Sequence, residues 1–492
     1  MRQKTMIIIG AGIAGLSTGI YGQVNGYRTL LLEMHDKPGG LCTAWQRKDY
    51  VFDGCIHHLA GAGPASKYYP IWEELGASQL EMDFHDLFVK CEAADGSQFN
   101  VFTNIKRLEN HLKELAPEDA KLIDQYISAM RRFTHFELLG LPLYNKSEMV
   151  RFSPHLIHLP RWMKVTLHDF ASRFKNPFLR RVFPYLQYGI PQVPLGVHLG
   201  FMAGCHNRTL GTPQADSLTF ARSLEQRYLD LGGEMVCRAK AEKILVEGGR
   251  AVGVRLADAS EHRADIVVSA ADGHSTIFGM LEGKYVNGLI RDFYACPPED
   301  SQPFAVFVCL GVARDISGEP PALCYFTELP VSIGGQAQTH INVELYGGPH
   351  YATAGKGVII VPVESTYKYW ASLYQDKNLY SETKEQTAAK VIEILENRFP
   401  GLRQQIEVVD VATPVTTERF TGNYEGRQPW TPPRSSFNVM LKGLSRTLPG
   451  LKRFYMVGHW ADAMVGISTA ALSGRKLIQH LCNQERRPFE VP

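Results

Sequence analysis

Residues 6–33 read MIIIGAGIAGLSTGIYGQVNGYRTLLLE, and the order of residue types in this stretch decides the fold. Residues 6–9 are an apolar run too short for a helix and β-branched enough for a buried parallel strand. Gly10, Gly12 and Gly15 follow at G-x-G-x-x-G spacing. The first permits a tight turn, the second lets backbone approach a diphosphate, and the third lets a helix pack closely. A helix over 13–25, ended by Gly26, aims free N–H groups and its positive dipole end at the same point. Residues 29–32 make a second strand. Glu33 stands at its end, about 20 residues past the glycines, where a carboxylate accepts hydrogen bonds from ribose hydroxyls. Glycine spacing alone says little in a chain with 44 glycines; strand, glycines, helix, strand and acid in this order carry the dinucleotide reading. The acid favours an unphosphorylated ribose, as in FAD or NAD, over NADP.

At 492 residues the chain exceeds what one hydrophobic core usually holds, so two or three domains are expected. Apolar content of 45% and charged content of 21% are those of an ordinary globular protein, and a net charge of +2 gives no global attraction to nucleic acid. The nine cysteines, Cys296 among them, are scattered without a C-x-x-C, which argues for a reducing compartment and against a zinc site or disulfide framework. The opening MRQKT leaves no room for the apolar core of a signal peptide, so a cytoplasmic location is expected. No stretch reads as a membrane span: the nearest, residues 182–207, carries three prolines, four glycines and two glutamines.

Beyond Glu33, the adjacent Gly39 and Gly40 let backbone approach a flat or charged group, here a second contact to the diphosphate and ribityl part of a flavin. YVFDGCIHHLAG (50–61) reads as one extended segment, with Val51, Asp53, Cys55 and His57 on one side and Phe52, Gly54, Ile56 and His58 on the other. His57 and His58 then diverge, so at most one enters a given cavity and the pair makes no metal site. Residues 69–133 suggest a helix (69–75), strands (87–91, 98–103) and helices (105–115, 117–133), the last opened by Pro117, Glu118 and Asp119.

Residues 151–207 set Arg151, Arg161, Lys164, Arg173, Lys175, Arg180 and Arg181 against a single acid, Asp169, among large apolar side chains. That composition suits an interfacial helix on anionic lipid, or core helices with a solvated basic face. A helix from Asp216 or Ser217 to Gly232, two strands around Gly248 and Gly249, and an apolar strand over 265–270 then lead back to the first domain. Residues 291–434 hold strands (303–312, 338–346, 357–363) and a long helix (383–399), a sheet expected to wall a substrate pocket. Residues 413–430, TPVTTERFTGNYEGRQPW, read as exposed turns. Residues 454–457 form a strand ended by Gly458, and Gly466 opens an apolar helix over 467–481 whose N-terminus points back at the ligand. The anionic edge of a reduced flavin is stabilised by such a helix end.

These segments resemble one family, the flavin-dependent amine-oxidase superfamily, and within it the phytoene desaturase, carotenoid isomerase and retinol saturase branch. The likeness rests on GAGIAG with Glu33, the tandem glycines, YVFDGCIHHLAG, AEKILVEGGRAVGV, VVSAAD, TPVTTERFTGNYEG and VGHWADAMVGISTAALSG. It implies that Gly10, Gly12, Ala14, Gly15 and Glu33 hold the ADP half of FAD, and Gly39, Gly40 and Leu41 the diphosphate. Ala241 meets the adenine through its backbone, and Gly458, His459, Gly466 and Ile467 the flavin end. Leu41 stands where many superfamily members carry arginine, and His459 where an acid is usual. The paired histidines make YVFDGCIHHLAG more like the saturases than the desaturases.

The expected fold is α/β: a discontinuous Rossmann-like FAD-binding domain (1–75, 208–290 and 435–492) with a second α+β substrate domain (76–207 and 291–434). Residues 151–207 are its candidate membrane-contact part. The expected function is hydride exchange at flavin N5 with carbon–carbon bonds of a long apolar isoprenoid or polyene, a step that desaturation, saturation and cis–trans isomerisation share. His57, His58, His459 and Asp462 are candidates for proton transfer or for steering flavin charge. Two alternatives stay open: an amine oxidase, for which Trp460 and Tyr346 would supply part of an aromatic cage, and a protein that keeps FAD without turnover. The expected partner is an apolar small molecule, with candidate peripheral membrane contact and no nucleic acid.

Overall fold

Thr5–Ile9 is the middle strand of a five-stranded parallel sheet in a computed structural model that describes residues 3–295, 304–427, 444–462 and 466–492. Cys296, Pro303, the end of the 413–430 stretch, the boundary at 435, and residues 463–465 of the C-terminal motif lie outside the described residues. The sheet order is Glu234–Val236, Arg28–Leu32, Thr5–Ile9, Ile266–Ser269 and Phe454–Met456, every pair parallel. Strands far apart in sequence thus meet in one layer, with their carboxyl ends on the edge where the glycine turn sits.

Helix Ile13–Val24 begins at Gly12 and crosses this sheet. Its close seat depends on Gly15, because a Cβ there would lie 1.9 Å from the Gly10 carbonyl oxygen. The C-terminal helix Ile467–Gln484 packs beside it, Ser17 Oγ donating to the Ala471 carbonyl at 2.6 Å. Leu16, Ile20, Leu477 and Ile478 are fully buried between these layers, each worth roughly 1.5–3 kcal/mol in apolar burial.

A second, seven-stranded sheet runs Ile406–Ala412, Phe304–Val312, Gly357–Ser365, Gln336–Tyr346, Ala322–Ile333, Leu87–Ala93, Gln98–Phe102. The strand alternation of Gln336–Tyr346 assigns its faces. Ile341, Val343 and Leu345 bury in one cluster with Val391 and Leu395 of helix Lys377–Arg398, which leaves Asn342, Glu344 and Tyr346 on the opposite face. A helical cap over 105–206 closes the far side, its core formed by Phe170, Phe174, Leu179, Phe183 and Leu199.

Several expectations change. The strand Tyr50–Asp53 stops where the 50–61 segment was expected to continue. The Asp53 carboxylate accepts from the Cys55 N–H at 3.0 Å and from the Ser217 N–H at 2.8 Å, bending the chain out of extension. The helix expected at 117–133 is a 3₁₀ turn, Pro117–Asp119, which carries the expected proline and acidic residues, followed by helix Ala120–Phe133; Asp119 also accepts from the Lys175 and Asn176 N–H groups. Strands Ala322–Ile333 and Ile406–Ala412 had no counterpart in the sequence reading.

Residues 413–427 are not an exposed loop. Thr413 is buried, caps helix Pro414–Thr421 through a capping box with Thr416, and packs Val415 into the sheet core. The basic stretch from 151 onward is no single interfacial helix; it breaks into Lys146–Leu156, Leu159–Met163, Leu167–Ala171, Pro177–Val182 and Leu195–His206, with most of its aromatic side chains in the core. Among the described residues no helix is long and apolar enough to cross a membrane.

Candidate cofactor and substrate site

One continuous cavity of about 2890 Å³ runs from the glycine turn, between the two sheets, to the helical cap. Single small-molecule sites occupy about 300–1,000 Å³, so this space holds more than one ligand-sized group. At its inner end two backbone loops lie side by side. The Gly39 N–H donates to the Ala11 carbonyl at 2.9 Å, and Gly12 and Gly39 form a parallel bridge. Gly39 requires glycine, since its φ is +110° and a Cβ would fall 2.2 Å from the Cys42 carbonyl oxygen. Gly10, Gly12, Ala14, Gly40 and Leu41 also line the cavity. Gly15 does not; it is a packing residue on Gly10 and Ala270.

Glu33 is buried at the end of its strand. Its carboxylate accepts from the Ala11 N–H at 2.7 Å and the His35 N–H at 2.9 Å, leaving lone pairs toward the cavity. Burial raises its pKa against the pull of those N–H donors. The Ala239 N–H donates to the Glu33 carbonyl at 2.8 Å, which brings Lys240 and Ala241 to the same end.

The C-terminal loop returns to the same place. Gly458 lies against Ala14, and a Cβ on it would approach the Ala14 Cβ to 3.4 Å. The Gly458 N–H donates to Ser473 Oγ at 2.8 Å, Ser473 Oγ donates to Asp462, and Asp462 also pairs with Arg446 at 2.6 Å. Both Asp462 oxygens are thus engaged in bracing the turn. His459 Nε2 accepts from the Gly466 N–H at 3.0 Å and lies 2.8 Å from the Gly466 carbonyl oxygen, fastening the helix start to Gly458. Burial lowers its pKa, against the opposing effects of Gly466 and Asp462. His459, Asp462, Gly466 and Ile467 all line the cavity.

His57 and His58 both line the cavity, against the expectation that they diverge, because the backbone is no longer extended there. His58 Nδ1 shares a hydrogen bond with the Tyr188 hydroxyl at 2.9 Å and stacks on Phe88 at 4.9 Å. Burial, with the neighbouring His57 and His85, pushes His58 down to about 3, so it is neutral. His57 Nδ1 lies 3.4 Å from Glu344 Oε1 and 3.4 Å from the Tyr346 hydroxyl, which donates to Glu344 Oε2 at 3.0 Å. Tyr188 and Glu344 went unnoticed in the sequence. The signal was the alternation INVELY over 341–346, whose polar positions face an internal cavity rather than solvent. Trp460 packs in the nucleotide-sheet cluster and Tyr346 lies tilted against Tyr351 at 4.8 Å in another; among the described residues no ring contact joins them into a cage.

Comparison with known proteins agrees with this architecture. A family model described as an NAD(P)-binding Rossmann-like domain matches residues 8–75. A lycopene-forming phytoene desaturase from a Paracoccus species is 26% identical over 275 residues, 55% of this chain and 55% of that enzyme, so this match spans about half of the relative's length. The all-trans-retinol 13,14-reductase of Danio rerio is 22% identical over 95% of this chain and 84% of its own, and the chloroplastic prolycopene isomerase of Daucus carota is 24% identical over 96% and 79%. Among solved structures, an oxidoreductase from Methanosarcina mazei superimposes with TM-score 0.61 at 16% identity, covering 96% of this chain and 100% of that one. A putrescine oxidase does so with TM-score 0.60 at 12% identity, covering 98% and 99%. The chain is thus similar over nearly its whole length to proteins named all-trans-retinol 13,14-reductase and prolycopene isomerase, and over about half of it to phytoene desaturases, and it shares the α/β fold of these solved oxidoreductases.

Proposed function

We propose that this chain is a FAD-dependent oxidoreductase acting on carbon–carbon bonds of a long apolar isoprenoid or polyene. The observation that carries the proposal is the single cavity joining the two glycine loops to a chamber under the helical cap, where Phe88, Leu138, Val197 and Phe201 are among its walls. A dinucleotide fits the inner end: Gly12 and Gly40 face each other with no side chain between them, and the buried Glu33 carboxylate has lone pairs for ribose hydroxyls. Gly10, Gly12, Ala14, Gly39, Gly40 and Leu41 would hold the diphosphate, Ala241 the adenine, and Gly458, His459, Gly466 and Ile467 the flavin end. FAD, when bound, supplies hydride exchange at N5.

The chain's own residues then bind, orient and exclude water. The Asp462–Ser473–Gly458 chain and the His459–Gly466 contacts fix the C-terminal helix start against the glycine turn. His57 and His58, with Asn342, Glu344, Tyr346 and Tyr188, place polar atoms in a chamber that Phe88, Leu138, Val197 and Phe201 also wall. The proposed division into a discontinuous FAD unit (1–75, 208–290, 435–492) and a substrate unit (76–207, 291–434) accompanies this reading.

Against the amine-oxidase alternative stands that, among the described residues, Trp460 and Tyr346 pack in different clusters with no ring contact between them. Transient bilayer contact is favoured by the exposed Val150 and Ile157, each 74% accessible, beside Arg151, Arg161 and Lys164. Leu159, Met163 and Lys164 line the cavity near them. Flotation with anionic vesicles at low and high salt tests this contact; protein that stays at the bottom of the gradient in both overturns it. The functional proposal is tested by the visible spectrum of purified protein and by anaerobic flavin bleaching with phytoene or with putrescine. A yellow protein bleached by phytoene alone is expected; bleaching by putrescine alone, or colourless folded protein that takes up no FAD, overturns the reading.

A further inference from the structure

Glu344 is a carboxylate with a side chain only 15% accessible, on the cavity face of its strand between Asn342 and Tyr346, in a cavity that Phe88, Val197 and Leu323 also line. Such a charge is retained in a dry site only with partners, and those partners are His57 and Tyr346. The wall opposite is held at a cost. Tyr188 adopts φ +53°, an unusual conformation for a bulky residue, and the next residue, Gly189, sits so close to the same strand that a Cβ would lie 2.2 Å from Asn342 Nδ2. The Tyr188 ring lies 5.7 Å from His57 and its hydroxyl meets His58.

The purely structural role of such a cluster, joining the strand to the 54–58 bend, does not require a carboxylate, a phenol and an imidazole to share one edge of a cavity. We infer that His57 is the group that exchanges a proton with a substrate carbon, and that Glu344 and Tyr346 are positioning residues holding its charge and ring. This rests on the polyene reading above and assigns the proton leg of that reaction. In the saturating direction one alkene carbon receives hydride from the reduced flavin and its neighbour receives a proton from His57, forming two C–H bonds as the C=C π bond breaks. The electron pair would come from FAD, when bound and reduced, and would be replaced by a two-electron donor. In the desaturating direction the same imidazole accepts the proton, and a quinone-class acceptor removes the electrons.

The test uses FAD-loaded full chain in deuterated buffer: all-trans-retinol and prolycopene with dithionite as reductant, and phytoene with a quinone acceptor. Wild type is expected to turn over at least one, with one solvent deuterium in a saturated or isomerised product. Glu344→Gln should lower kcat about 100-fold with KM, FAD content and polyene binding by fluorescence quenching within twofold, and Glu344→Asp should recover part of the loss. Wild-type turnover with Glu344→Gln within threefold of it, or loss expressed only as FAD release, overturns the inference alone. Wild type that binds FAD but turns over none of the three overturns the polyene reading and the inference with it.

Discussion

The two ends of the cavity are built by different means. At the nucleotide end the surface is backbone: Gly12 and Gly39 bridge, the Gly39 N–H bonds Ala11, and the helix beginning at Gly12 presents its free first-turn N–H groups. At the far end the surface is side chains, Glu344, Tyr346, Asn342, Tyr188 and the two histidines, brought together from three separated stretches. Backbone surfaces demand particular glycines at fixed spacing, and that demand is written locally in the sequence. Side-chain surfaces demand a register between distant strands, which no local window contains.

The sharpest break of the comparison lies within the glycine turn itself. Gly15→Ala drives a Cβ to 1.9 Å from a backbone oxygen that has nowhere to move. It is expected to destabilise the fold by about 3 kcal/mol or more, read as the shift of the urea midpoint. Gly12→Ala is its counterpart: φ −68° suits any residue, and the added Cβ would be 3.8 Å from the Gly39 oxygen, an ordinary contact. Its unfolding free energy should stay within about 0.5 kcal/mol of wild type, while FAD affinity falls about 100-fold, or about 2.7 kcal/mol. Fluorescence titration with FAD checks this. Full FAD affinity in Gly12→Ala would mean that the diphosphate lies elsewhere.

The parallel strand, the helix seat and Glu33 were therefore legible because each depends on residues within one βαβ unit. Alternation over 50–61 predicts one extended segment, but the chain bends after Asp53, whose carboxylate captures Ser217, a residue more than 160 positions away. The same blindness hid Ala322–Ile333, which pairs parallel with Leu87–Ala93 across more than 200 residues. Asp462, a candidate from its motif for proton transfer or for steering flavin charge, has both oxygens engaged by Arg446 and Ser473. Proximity in sequence to a cofactor motif does not say which way a carboxylate is turned.

Inside the helical cap behind that end, protonation offers a finer probe. His198 is fully buried between the Tyr126 hydroxyl at 2.8 Å and Gln187 Oε1 at 3.0 Å, and burial pushes its pKa down to about 3. The unfolded chain takes up this proton below about 6.5 and the folded chain does not until about 3. Stability from His198 is thus present above about 6.5 and lost as pH falls below it, with a slope of about 1.4 kcal/mol per pH unit. Asp53, held up to about 6 by burial, tilts the other way over part of that window. The measurement is therefore a difference: urea unfolding from pH 6.5 to 4.5 for wild type and His198→Phe, the variant showing the shallower acid loss. Equal slopes would place the acid sensitivity in other groups.

The smallest expected effect concerns the segment that composition described as exposed turns. Thr413 is buried, its hydroxyl accepts from the Thr416 N–H to cap helix Pro414–Thr421, and it lies 2.6 Å from the Tyr380 hydroxyl. Thr413→Ala removes the cap and leaves the Tyr380 hydroxyl without that partner, at an expected cost of about 1 kcal/mol, whereas Thr413→Ser retains both bonds and should sit close to wild type. An exposed loop would show no difference between the two substitutions. The pair therefore measures, by the separation of their urea midpoints, whether this stretch is held by specific side-chain contacts, as the far wall is, or merely follows its turn-forming residues.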